Sequence, residues 1–128
     1  MDHFYRVKKC NRCFCKICNN LLEFTDYIEI NKLKLKINSN ISCYSPNIIF
    51  VLMCSCCYCF AVDATSLSLS KMDFVFRNDR ALSHFKFCCN MNYFLIPLFK
   101  VATNSELILI KQKLYFINLL KPTLNFPN

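Results

Sequence analysis

The chain has 128 residues and not one of them is glycine. At average usage roughly nine would be expected. Glycine reaches positive φ without steric cost, so folded domains place it at helix C-caps, primed hairpin turns and bulges. In this chain another residue must take each such position, and the 14 asparagines are the natural substitutes. A compact fold therefore depends on asparagine wherever the backbone turns left-handed.

The remaining composition points to one origin. Phe, Tyr, Met, Ile, Asn and Lys, whose codons are rich in A and T, make up nearly half of the chain. Gly, Ala, Arg and Pro together make up less than a tenth. This is base composition written into protein. The reading it favours is the product of an AT-rich open reading frame with no assignable biochemical function.

Length suits one domain with a core of its own, and 55% hydrophobic residues argue against disorder by low hydrophobicity. The net charge of +8 would ordinarily raise nucleic acid or an anionic membrane as partner. The 16 basic residues, however, fall evenly into the two halves of the chain, so no sequence-specific nucleic-acid recognition is expected. No apolar stretch of seven residues precedes residue 41, which argues against a cleavable signal peptide.

The expected fold class is α+β, small and with a poorly defined core. Residues 1–18 read as a basic, cysteine-rich arm without fixed order (Arg6, Lys8, Lys9, Arg12, Lys16), and residues 19–128 as one marginal globular or membrane-associated region. From residue 27 to 37 apolar and charged residues alternate, with a break of phase at Asn31-Lys32, which predicts a strand or short hairpin. Thr103 and Glu106 have capping-box spacing ahead of an apolar run that Pro122 ends, which predicts a helix over 104–120.

The charge-free run from Ile48 to Val62 is expected to be a second helix. Extended back to Tyr44, it becomes a borderline membrane anchor over 44–62, about 28 Å long as a helix against a hydrocarbon core of about 30 Å. Within it, Ile48–Met53 also carries the signature of an aggregation-prone cross-β segment. A charge placed at Val51 is accordingly expected to raise solubility.

Of the eleven cysteines, Cys10, Cys13, Cys15 and Cys18 give the strongest chemical signal. They form two Cys-x-x-Cys pairs, the spacing at which a turn brings two thiolates onto one Zn²⁺. Structural sites usually separate their pairs by a dozen residues or more, and four thiols in nine residues do not. Cys54, Cys56, Cys57 and Cys59 lie in the apolar run and read as small apolar side chains. His84 and Cys88 could complete a site, but nothing local joins them to other ligands. The odd number of cysteines excludes a complete disulfide framework within one chain.

Without glycine, a P-loop and a dinucleotide fingerprint are excluded, because both need a close backbone approach that a side chain would block. No nucleophile–base pair stands out, so no catalytic, cofactor-binding or metal residue is assigned and the chain is not expected to be an enzyme. Two alternatives to the functionless reading frame stand: a small membrane-associated protein anchored by 44–62, and a zinc-binding N-terminal arm that folds on metal.

Overall fold

Ile48–Cys54 is a strand, and the other elements are arranged about it. The structure, a computed structural model, describes residues 4–12, 14–71 and 79–125. Among them are β1 (Arg6–Lys8), β2 (Phe24–Thr25), β3 (Tyr27–Ile30), β4 (Leu33–Lys36), β5 (Ile41–Ser42), β6 (Ile48–Cys54), β7 (Phe60–Thr65) and β8 (Tyr93–Lys100), with α1 (Asp79–Cys88) and α2 (Glu106–Leu120). The fold is α+β, with strand orders β2-β1-β5, β3-β4 and β7-β6-β8 in three small sheets.

The helix expected over 48–62 is not formed. That segment is β6, a turn at 55–57 and the first half of β7, paired antiparallel from Ile48↔Thr65 to Met53↔Phe60. The physical reason is burial on both sides. β6 is the central strand, so its two faces are both apolar and the polar alternation that marks a half-buried strand is missing. Ile48, Phe50, Leu52 and Cys54 face one hydrophobic cluster with Ala81 and Phe85 of α1, Val7 of β1 and Ile17. Ile49 and Val51 face a second cluster with Leu109, Phe116, Ile117 and Leu120 of α2. The chain is thus layered, with α1 and the N-terminal segment on one side of the β7-β6-β8 sheet and α2 on the other.

Placing 48–54 at the sheet centre also covers the cross-β segment, since β7 and β8 pair with both its edges. Val51 is fully buried, so a lysine there would bury a charge rather than guard a surface. No helix among the described residues is long and apolar enough to cross a membrane, and the proposed anchor at 44–62 is a strand pair instead.

β8 continues through Pro97, which sequence alone would treat as a stop. The register to β6 slips between Ile49 and Phe50, opposite Pro97, and β8 is an edge strand, the two circumstances that tolerate proline in a sheet.

The hairpin expected over 27–37 is β3–β4, with Tyr27↔Lys36 and Ile30↔Leu33 in register. Its two-residue loop, Asn31-Lys32, has positive φ at both positions (52° and 68°), as a type I′ turn requires. The helix expected over 104–120 is α2. Its N-cap is Ser105, whose hydroxyl accepts from the Ile108 N–H at 3.4 Å, while Thr103 accepts from the Ser105 N–H one step earlier. Lys121 ends it in the left-handed conformation, before Pro122.

The cost of having no glycine is visible. Ten described residues hold positive φ, among them Asn11, Asn31, Asn47 and Asn90 but also Phe14, Lys32, Tyr58, Met91 and Lys121. Asparagine has a second use at the sheet edges. Asn125 spans the N–H and C=O of Val62 on β7, at 2.6 and 2.8 Å, and Asn38 does the same to Lys100 on β8, at 2.8 Å each. Edge groups that would template aggregation are thereby partly occupied.

The N-terminal segment contributes to this architecture. β1 pairs antiparallel with β2 and parallel with β5, and Val7 and Ile17 are buried in the first cluster.

Candidate metal centres

Among the described residues, two groups of thiol and imidazole side chains come together. In each, the four ligand atoms lie within 4.8 Å of one another.

The first is Cys10, Cys15, Cys18 and Cys43. β1 pairs with β5 through Val7↔Ile41 and Lys8↔Ser42, so the residues just beyond each strand end at the same place. This brings Cys10 beside Cys43, whose Sγ accepts from the Cys10 N–H at 3.4 Å. The turn at 16–20 returns Cys15 and Cys18 to that point. Cys18 Sγ lies 3.4 Å from Cys10 Sγ and 3.6 Å from Cys43 Sγ. Thiolates on a tetrahedral Zn²⁺ at about 2.3 Å are about 3.8 Å apart, whereas a disulfide needs about 2.05 Å. Cys43 is fully buried and the other three half-buried. Three of the four cysteines singled out in the N-terminal segment are therefore brought together, and the fourth ligand comes from the end of β5. Cys13 lies outside the described residues.

The second group is Cys54, Cys57, His84 and Cys88. Alternation along β6 turns the last residue, Cys54, towards α1, and the turn that follows presents Cys57. That turn is closed by the Tyr58 N–H donating to the Cys54 carbonyl at 3.1 Å, with Tyr58 at φ 64°. His84 and Cys88 are one helical turn apart and so share a face of α1. α1 is fixed by Phe85, fully buried and stacked on Tyr93 with ring centroids 5.0 Å apart. The result is a contact of 3.1 Å between Cys57 Sγ and His84 Nε2. Cys57 and Cys88 are exposed, so this group lies at the surface while the first is partly enclosed.

The backbone also prepares the sulfurs to carry charge. Backbone N–H groups favour the charged sulfur at Cys10 (Arg12), Cys15 (Ile17), Cys54 (Cys57 and Cys56) and Cys57 (Cys59), although burial and neighbouring thiols leave Cys15 and Cys57 raised on balance. At Cys10 the Arg12 N–H outweighs burial and brings the thiol down to about 6. At Cys54 burial opposes ionisation, but the N–H groups of Cys57 and Cys56, with Cys88 and His84, bring it down to about 6. Each group thus holds one thiolate at neutral pH. Other thiols are pushed the opposite way in the metal-free chain: burial raises Cys43, and the hydrogen bond with Cys54 raises Cys88 to about 12. A divalent cation would remove this conflict, because several thiolates can then share one positive charge.

The Cys54–Cys57 pair has the same two-residue spacing as the N-terminal pairs, although its apolar setting reads as core filler. His84 and Cys88, which have no local partner, find theirs at the end of β6 and in the turn after it. No known protein family, curated protein or solved structure matches the chain.

Proposed function

We propose that this is a small zinc-binding domain, with one Zn²⁺ held by Cys10, Cys15, Cys18 and Cys43 and a second by Cys54, Cys57, His84 and Cys88. The observation that carries the reading is the convergence of eight ligand atoms, from positions up to 34 residues apart, into two sets of four. AT-rich base composition does not explain why the cysteines gather in two tetrads with His84.

Sulfur and imidazole donors select Zn²⁺ over Mg²⁺ or Ca²⁺. Four protein ligands fill a tetrahedral sphere and leave no position for water or substrate, so the role is structural. The first ion ties β1, the following turn and β5 together, and the second ties the β6–β7 turn to α1. Both act on the same side of the central sheet, where short strands of two or three residues could not hold a layer alone. In zinc-finger peptides such sites contribute about 10–16 kcal/mol to folding at neutral pH.

Cobalt substitution tests the reading. Adding Co²⁺ to the metal-free chain should give thiolate-to-cobalt charge-transfer bands and tetrahedral d–d bands that saturate at two equivalents and vanish when Zn²⁺ is added. Octahedral Co²⁺ spectra, or none, would refute it.

A further inference from the structure

We infer that the surface around the first metal centre binds single-stranded nucleic acid, without sequence preference, through a row of cations and an exposed aromatic platform. The inference rests on that centre holding its zinc.

The cations come first. Arg6 and Lys8 alternate with buried Val7 and so both stand on the outer face of β1. Lys9, Arg12 and Lys16 follow, with Arg12 and Lys16 exposed. No acidic residue occurs from position 3 to 22. Glu23, the first acid after this stretch, accepts the Lys9 N–H at 2.9 Å and adds one negative charge. A four-thiolate zinc centre carries about two net negative charges, which these five cations exceed. The even division of charge between the halves of the sequence conceals this local excess.

The aromatic residues are the second observation. Phe14 is 100% exposed and is held at φ 66°, a conformation that costs a side-chain-bearing residue about 1–2 kcal/mol. It adds nothing to the core. It sits between Arg12 and Lys16, on the loop that joins Cys10 to Cys15. Tyr44, at the end of β5, is 41% exposed, and the Arg12 guanidinium lies 4.7 Å above its ring. Cations that meet a phosphate backbone, interleaved with rings that stack on unpaired bases, are what sequence-tolerant single-strand binding uses. A duplex keeps its base faces stacked and offers such a platform nothing. A membrane surface attracts such a cation cluster through charge as well, and competition by anionic vesicles separates the two.

The test is fluorescence anisotropy of a labelled oligothymidylate of about a dozen nucleotides with the zinc-loaded full chain, zinc being assayed in every sample. Binding should be salt-dependent and tighter than to a duplex of equal length. Phe14→Ala should weaken it about 5- to 150-fold at unchanged zinc content, the range of about 1–3 kcal/mol for one stacked base. Lys8→Ala and Arg12→Ala should each flatten the salt dependence. Leu107→Ala, on exposed α2, should change nothing. Two zincs per chain with no binding would overturn the inference alone, as would equal duplex affinity with Phe14→Ala unaffected. Full competition by phosphatidylserine vesicles, lost in Phe14→Ala, would replace it with a membrane surface. A chain that takes up no zinc would refute the metal reading, and this inference with it.

Discussion

Cys57 Sγ and His84 Nε2 are 3.1 Å apart although 27 residues separate them in sequence. Neither residue places itself. The β6–β7 turn sets Cys57, and Phe85, packed under the sheet, sets the rotation of α1 that aims His84. The contact thus reports the packing of a helix on a sheet.

His84→Ala should leave the first centre intact and reduce bound zinc from two ions to one per chain. Since His84 is only partly buried, the core should survive, and metal analysis with far-UV circular dichroism checks both statements. Loss of both ions would mean that the two centres do not fill independently.

Cys43→Ser should separate packing from metal binding. In zinc-free buffer the substitution exposes its core neighbours to one buried hydroxyl, costing about 1–3 kcal/mol. With zinc present the gap to the parent chain should widen well beyond that, because the first centre loses a ligand. Denaturant titrations with and without zinc measure the difference, and an equal gap in both would contradict the ligand role.

In the metal-free chain, thiol reactivity should follow ionisation. Cys10 titrates at about 6 in the folded chain against an ordinary value of 9.0. Its ionised form is therefore favoured by folding, and the associated stability is complete above the ordinary value and lost as pH falls through about 6. At pH 7 iodoacetamide should modify Cys10 ahead of Cys15 and Cys43, both raised chiefly by burial. Zinc should protect all three. Peptide mapping by mass spectrometry reads the order.

Glycine should stabilise this glycine-free chain at chosen positions. Lys121 holds φ 52° at the end of α2, where its Cβ is strained and its side chain is solvent-facing. Lys121→Gly should gain about 1 kcal/mol, a few degrees in Tm. Val51→Lys should do the reverse. It strands a charge in the second cluster at a cost of several kcal/mol, comparable with the whole stability of such a domain, so its soluble yield should collapse.

What the sequence disclosed was local. The β3–β4 hairpin and α2 are legible because alternation, caps and a stopping proline lie within a few residues of one another. β6 reads as a helix because a strand buried on both faces has no alternation, although Ile48, Ile49 and Val51 carry the β-branching that marks it. α1 was visible in Ala81 and Phe85, four residues apart, and the His84–Cys88 spacing lay on the same helix. Its short pattern lies between mixed flanks and gives no clear periodic signal. Cys43 could not be found locally at all. It becomes a ligand only because β1 and β5 pair in parallel across 34 positions.

The most direct measurement is native mass spectrometry of the full chain purified in zinc-containing buffer. The account predicts a dominant species carrying two zinc ions, converted by acid to the metal-free mass, with the loss of near-UV circular dichroism following the loss of metal. A metal-free species with an intact near-UV spectrum, unchanged by a strong chelator, would contradict it.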